Sequence, residues 1–442
     1  MPRSLPSDFV VPEKPTSNDS GVQTLSLDIQ VITPLFGGGA TPGECDPVTL
    51  IRGTTIRGHL RFWWRATVGA QFATWQELAE AEEKLWGSAS NPSQISIVST
   101  VTDAGKKQRC ATFPPDKSFA RFEPGFPAYA LFPFQGKKKN GRIEEEPALA
   151  CTGVKFRLDL TYPDTNEHEV KVALKAWINF GGIGARTRRG CGSLLCHSFS
   201  PASIEKIGTW HQGYQRELDI SRKLGSRASK DWPIWQGQML VGKSERNAGE
   251  AWADVIGLLR YFRQGQDFGR NPGRDRPGRS RWPEPEAVRR STGRRSRSHS
   301  ALSQFSDLDF YPRAELGLPI VVHFKDANTG DPEDTQVVPW RENIRGEMEA
   351  GERMCSPVLL KVLATVDGAF APAIIALNTP GVDAVALQST APVSDIITNQ
   401  AVGNSTLAHY TNSPLSGLSD SGSSLEAFLK FAQNDGYFLH QS

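Results

Sequence analysis

The sequence predicts an α+β protein with ferredoxin-like organisation, and three observations carry that expectation. Residues 25–32 (LSLDIQVI) alternate apolar and polar, the pattern of a half-buried strand. Residues 53–72 (GTTIRGHLRFWWRATVGAQF) place Ile56, Leu60, Trp63, Trp64 and Thr67 at helical intervals, with Thr54 or Thr55 positioned to cap the start. Strand patterns at 94–101 (QISIVSTV) and 153–161 (GVKFRLDLT) then precede a helical stretch at about 168–179 and a short strand in SLLCHSF. The order is strand, helix, strand, strand, helix, strand. Two helices then cover one sheet face and leave the other free, an arrangement that suits RNA.

Length and composition bound the rest. A chain of 442 residues accommodates two large domains. With 38% apolar and 22% charged residues, global disorder is excluded. Lys plus Arg number 50 against 48 acids, so the protein is not uniformly basic, although local basic surfaces remain open. Six scattered cysteines are too few to staple this chain, and Cys191 and Cys196 lack Cys-x-x-Cys spacing. No apolar run nears the roughly 18 residues of a membrane span, and residues 1–21 read as a loose polar tail without a signal core. A cytoplasmic protein without membrane contact is expected.

The second half is less regular. Residues 203–236 read as a connector, QMLVGK as a strand, and 247–265 as a strong helix with Trp252, Val255, Ile256, Leu259 and Phe262 on one face. Residues 266–300 are rich in Arg, Gly, Ser and Pro and read as a long loop or disorder. GLPIVVHFK and PVLLKVLATV read as strands and SLEAFLKFAQ as a short terminal helix. GHLRFWWR at 58–65 and GLLRYFRQ at 257–264 share Gly, Leu-Arg and adjoining aromatics, a faint echo consistent with a duplicated domain.

Three basic features are candidates for a polyanion. Arg57, Arg61 and Arg65 are four apart on one helix face, with Arg52 just ahead, and no acid at i+4 to pair with them. The alternative is an ordinary solvated face. The loop Gly181–Gly192 sets Arg186, Arg188 and Arg189 among Gly181, Gly182, Gly184, Gly190 and Gly192. Glycines let backbone N–H groups approach an anion, and arginines fork onto phosphate oxygens. The alternative is a turn with incidental arginines. From Arg260 to Arg297 there are twelve arginines, no lysine and four acids, a net of +8 that the near-neutral total conceals. Within it RSRWPEPEAVRR, with Arg279, Arg281 and Trp282, reads as partly ordered. The run Lys137–Lys139 is a further basic spot. Trp63, Trp64 and Trp282 are candidates for stacking on bases or for packing in the core.

Other signals fail on physical grounds. GQMLVGKS satisfies the Walker A spacing, but Gln238–Val241 suits a strand where a phosphate cradle is required. GGIGART has Thr187 where a dinucleotide fingerprint needs its third glycine. His59 beside the arginine stripe, or Asp46 near Arg52, would be the base for in-line RNA cleavage; packing is the plainer role for His59. No metal cluster, cofactor motif, paired-carboxylate site or nucleophilic triad stands out, so no cofactor, metal or small-molecule substrate is expected.

The motifs ITPLFGGG, IRGTTIRGHLRFWWRA, GGIGARTRRGCGSL, GRSRWPEPEAVRR and ELGLPIVVHF together resemble the RAMP superfamily, and more narrowly the first-type Cmr subunits of type III-B CRISPR–Cas effector complexes. The resemblance spans residues 31 to about 323. It implies two ferredoxin-like, RRM-like domains with long loop insertions: 22–202, carrying the glycine-rich loop, and 203–442, carrying the Arg-rich insertion 266–300. It implies a non-catalytic subunit of a ribonucleoprotein that holds CRISPR guide RNA and target RNA beside other Cmr-complex RAMP subunits, capping the assembly near the guide 3′ end for antiviral defence. It marks the glycine-rich loop and the arginine helix as RNA contacts. A RAMP-type, metal-independent endoribonuclease is the alternative, and a scaffold with basic surfaces for acidic neighbours is a third reading.

Overall fold

The computed structural model describes residues 21–39, 43–222, 231–264, 282–297, 310–324, 326–343, 345–389, 397–401 and 423–440. Arg279, Arg281 and residues 402–422 lie outside them, as do residues 1–20 of the expected tail.

The first half runs β1 (Val22–Val31), α1 (Gly53–Ala66), α2 (Trp75–Trp86), β2 (Ser96–Asp103), an insertion, β9 (Lys155–Pro163), α4 (Glu167–Phe180) and β10 (Leu194–Leu195). The insertion holds β3 (Lys106–Arg109), β4 (Ala111–Thr112), β5 (Arg121–Phe122), α3 (Ala128–Leu131), β6 (Lys137–Lys139), β7 (Arg142–Glu145) and β8 (Leu149–Thr152). The spatial order is β10-β1-β9-β2, antiparallel throughout. That is the path expected when each helix crosses between strands separated by one neighbour. Leu27, Ile29 and Val31 of β1 and Phe156, Leu158 and Leu160 of β9 point inward, where α1 and α4 bury Trp63, Trp64, Leu174 and Trp177 against them. Alternate residues point outward, as the period of two requires.

The outward face bears on function. The register aligns Ser26 with Asp159 and Val98, and Asp28 with Arg157 and Thr100. This face carries two aspartates, an exposed Arg157–Asp28 pair at 3.2 Å and no aromatic ring at those positions. The free face is therefore no stacking platform for bases, contrary to the expectation that it serves RNA.

The second half runs α5 (Ile207–Arg222), β11 (Met239–Val241), α6 (Ala248–Gln264), α7 (Glu284–Thr292), β12 (Ile320–Val322), β13 (Thr335–Glu342), β14 (Met348–Ala350), β15 (Val358–Ala364), β16 (Phe370–Ala376), β17 (Ala384–Ser389), β18 (Ile397–Ala401), α8 (Ser424–Asn434) and β19 (Phe438–His440). One sheet has the order β15-β16-β11-β19. In chain order the elements of this layer are β11, α6, β15, β16, α8 and β19, so it follows the same path as the first sheet. The echoing segments 58–65 and 257–264 fall on α1 and α6, the first helix of each path. A second sheet, β12-β13-β17-β18 with β14 on β13, has its own small core around Val337, Val385, Tyr311 and Val288.

Several boundaries differ from expectation. The helix expected over 53–72 ends at Ala66, where Thr67 leaves helical geometry and its hydroxyl donates to the Trp63 carbonyl at 2.5 Å. Its N-cap is Arg52 without a side-chain cap, so neither Thr54 nor Thr55 serves. Helix α5 occupies the expected connector, and α7 orders part of the Arg-rich stretch.

Candidate nucleic-acid interface

The glycine-rich loop sits between the two halves. Arg188 O accepts from Leu360 N–H at 3.1 Å, and Arg189 bridges Leu360 in parallel, so the loop is tied to the edge of β15. Trp252 of α6 donates its indole N–H to Arg189 O at 2.7 Å. On the other side Pro34 O and Phe36 O accept from Gly192 and Ala185 N–H at 3.1 and 2.6 Å.

The glycines serve this packing. Gly181, Gly182 and Gly190 are buried. Gly184 has φ +85°, and a Cβ there would lie 2.4 Å from the Phe36 carbonyl oxygen. Their open sides face protein, which corrects the expectation that they open the backbone to phosphate; the loop needs glycine because two halves of the protein close on it.

The arginines remain available electrostatically. Arg186 Nε donates to Ala130 O at 2.5 Å, Arg188 Nη1 to Ser356 O at 2.6 Å, and Arg189 Nη1 to Val358 O at 3.4 Å. The Arg188 guanidinium also lies 5.4 Å from the Phe62 ring centre. These carbonyls orient the side chains without cancelling their charge. Among the described residues none of the three arginines has a carboxylate partner. Burial lowers the pKa of all three, Arg189 to about 10, with Arg263 and Arg186 adding repulsion. Arg186 is also held at φ +58°, which for a non-glycine residue costs on the order of 1 kcal/mol.

Beneath the loop lies Lys361 of β15, fully buried, its Nζ without a hydrogen-bond partner among the described residues. A Cβ on Gly182 would stand 3.1 Å from that nitrogen. Burial depresses its pKa to about 7. Neither Arg263 nor Lys361 stands out in the sequence as a site residue. A signal for Lys361 is nonetheless there: one lysine inside the apolar run PVLLKVLATV.

The α1 arginines are placed differently from expectation. Arg61 and Arg65 both meet Glu82 of α2 at 2.5 Å, and Glu82 is buried. Arg57 donates to Ser93 Oγ and to Ile95 O, the latter at 2.9 Å, and Arg52 pairs with Asp46. The stripe is thus not unpaired; its partner comes from a neighbouring helix. One carboxylate for Arg57, Arg61 and Arg65 still leaves an excess of positive charge.

The tryptophans belong to the core. Trp63 and Trp64 are buried, with Trp64 donating to Glu169 at 3.0 Å. Trp282 is 1% exposed, edge-on to Phe262, and donates to Arg263 O at 3.0 Å. None is free to stack on a base. The described part of the Arg-rich segment is also engaged in ion pairs, within itself and with the rest of the second half: Arg289 with Asp331 at 2.9 Å and Glu286 at 2.6 Å, Arg295 with Glu286 at 2.8 Å, and Arg313 with Glu284 at 3.1 Å. Lys137 pairs with Glu145 at 2.6 Å, and Lys138 donates to Pro114 and Pro115 carbonyls.

Of the catalytic candidates, Asp46 is engaged and His59 is held neutral by burial. Asp46 accepts from Val48 and Thr49 N–H at 2.8 Å besides pairing with Arg52. His59 is half-buried near Trp177, its pKa lowered to about 4 by burial and then by Lys361. Met239–Val241 is strand β11, so the Walker-like stretch forms no phosphate cradle. Among the described residues no group of three or more His, Cys, Asp or Glu could hold a metal ion, and no helix is long and apolar enough to cross a membrane.

Comparison with known proteins places the chain. The model of the RAMP superfamily matches residues 28–195. CRISPR system Cmr subunit Cmr1-2 of Pyrococcus furiosus is 31% identical over 177 residues, covering 38% of this chain and 92% of that protein. CRISPR system Cmr subunit Cmr1-1 of the same organism is 30% identical over 202 residues, 42% of this chain and 56% of that protein. The crystal structure of Cmr1 from Pyrococcus furiosus in its apo form aligns over 81% of this chain and 89% of that chain, at 17% identity and a TM-score of 0.47.

Proposed function

The chain belongs to the RAMP superfamily, among the first-type Cmr subunits of type III-B CRISPR–Cas effectors, and on that premise we propose that it is a non-catalytic RNA-binding subunit of such a ribonucleoprotein. In this reading it works in the cytoplasm beside other Cmr RAMP subunits, caps the assembly near the guide 3′ end, and helps hold guide and target RNA. Residues 22–202 and 203–442 form two ferredoxin-like domains, a division supported by the shared path of their sheets.

One observation carries the proposal. Arg186, Arg188 and Arg189 are oriented by carbonyls at the seam between the two halves, with no carboxylate among the described residues to neutralise them. A concentration of positive charge in a partly dehydrated seam is stabilised by an anion, and a phosphate backbone supplies a row of them. The contacts therefore come from side chains around the loop, and Arg52, Arg57, Arg61 and Arg65 extend the positive field along α1. A binding role fits better than cleavage, because Asp46 is committed to Arg52 and local N–H groups.

The experiment is a salt titration of single-stranded RNA binding by the wild type and by R186Q/R188Q/R189Q. Glutamine keeps a donor for each carbonyl and removes the charge. Each phosphate that the variant no longer neutralises makes the slope of log K against log salt shallower by about 0.7. A variant with unchanged melting temperature, affinity and slope rejects the assignment. RNA products formed without metal and absent with H59A would favour the nuclease reading.

A further inference from the structure

Residues 34–36 are held from two sides. Pro34 O and Phe36 O accept from the glycine-rich loop, while Leu35 exchanges backbone hydrogen bonds with Cys151 of β8, both 2.9 Å. The chain then turns, with Gly37 N–H donating to Gly43 O at 3.4 Å and Gly39 N–H to Glu44 O at 2.9 Å, and brings Cys45 back to the same place. The Cys45 thiol donates to the Leu35 carbonyl at 3.3 Å, and the same carbonyl accepts from Cys151 N–H at 2.9 Å, so the two cysteines meet at one oxygen. Cys45 is half-buried and Cys151 buried, and neither is in a disulfide.

The two sulfurs are chemically unequal. The neighbouring Cys45 draws the Cys151 thiol below the usual thiol range, and Lys107, opposite Cys151 in the β3–β8 ladder, acts in the same direction. The neighbouring Cys151, together with burial, pushes Cys45 well above that range. A nucleophilic thiolate with a protonated thiol against it is the arrangement that oxidises through a sulfenic acid and is resolved within the chain.

We propose that Cys45 and Cys151 form a reversible dithiol–disulfide pair, closed by hydroperoxides, that fastens the turn supporting the glycine-rich loop. The Cys151 thiolate attacks one peroxide oxygen, the O–O bond breaks, and the departing hydroxide is protonated to water. The Cys45 sulfur then displaces hydroxyl from the resulting sulfenic acid. A second water leaves as the S–S bond forms. Two thiols and one hydrogen peroxide thus give one disulfide and two waters, with the sulfurs losing two electrons and the peroxide gaining them.

The inference does not depend on RNA binding, and its test uses none. The full chain is treated with hydrogen peroxide, then read by intact mass and by non-reducing peptide mapping. We expect a product two hydrogens lighter, a cross-linked peptide joining Cys45 to Cys151, its loss in both C45S and C151S, and its reversal by dithiothreitol. The oxidised wild type should also melt at a higher temperature than the reduced one. The peptide map of the wild type decides the matter even where a variant folds poorly. A bond involving exposed Cys355 in place of this pair, or only stable oxygen adducts on Cys45 and Cys151, overturns the proposal.

Discussion

Arg189 and Leu360 pair as a parallel bridge, although they belong to different halves of the chain. Through this pair the glycine-rich loop is tied to the edge of β15 by a single bridge. Trp252 fixes the loop from the other side through Arg189 O. The loop arginines are thus aimed by a rigid seam, which lowers the entropy they would lose on gripping a ligand.

The seam makes Gly190 sensitive. Its φ is +82°, and a Cβ would stand 2.7 Å from the Trp252 ring and 3.3 Å from Leu360 O. G190A combines an unfavourable backbone conformation with overpacking, so we expect a loss of about 2–4 kcal/mol in stability. Urea unfolding measures it. A variant as stable as the wild type would mean that the loop does not close between the two halves as described.

Lys361 gives the seam a pH signature. Its folded pKa, about 7, lies below the ordinary lysine value, so between these two points the unfolded chain binds the extra proton. Stability from this group is therefore greatest above the unfolded value, falls as pH drops toward about 7, and levels off below it. K361M removes the titrating amine. The difference in unfolding free energy between variant and wild type should favour K361M most at pH 7 or below and shrink toward pH 10, by an amount on the order of a few kcal/mol. A difference that does not change with pH would show that the amine is hydrated or paired.

The parts of the fold set by local periodicity were legible. β1, β9, α4 and α6 lie within a few residues of their expected spans because one face of each is buried and the pattern records it. Helix α2 was missed although Thr74 and Glu77 form a capping box ahead of Leu78 and Leu85, a signal present in TWQE. Strand β16 carries Pro372 inside its apolar run, where proline argues against a paired strand, so the run itself does not signal the pairing. The candidate site reads in the sequence as a set of arginines, and the partners that fix those arginines do not read there. Glu82 bridges Arg61 and Arg65 from a different helix, and Trp282, conspicuous among arginines, packs against Phe262. Tertiary partners of this kind leave no local spacing to read.

Glu82 carries the docking of α1 on α2. It is 5% exposed and bridges two guanidiniums that remain about one-third exposed. E82Q keeps the shape and removes the charge, leaving Arg61 and Arg65 to repel each other. Allowing for solvent around the arginines, we expect a loss of about 1–2 kcal/mol, smaller at high salt. If E82Q binds RNA more tightly than the wild type, the freed arginines contribute to the interface; unchanged binding confines their role to packing.

Arg289 tests whether the Arg-rich segment is a folded part of the second half. Its guanidinium pairs with Asp331 through two nitrogens, at 3.0 and 2.9 Å, and with Glu286 at 2.6 Å, above the Phe324 ring. Both carboxylates are buried, so R289A leaves two negative charges in the interior with one arginine, Arg295, still paired to Glu286. Removing one partner of a buried ion pair costs about 3–5 kcal/mol. That loss should fall on α7 and the β12-β13-β17-β18 sheet, whose core includes Ala287 and Val288 of the same helix. Hydrogen exchange reports it as faster exchange in β12 and β13 with β1 and β9 protected. Equal loss of protection in both halves would mean that the two unfold as one unit, and no loss would mean that the ion pairs are hydrated and weak.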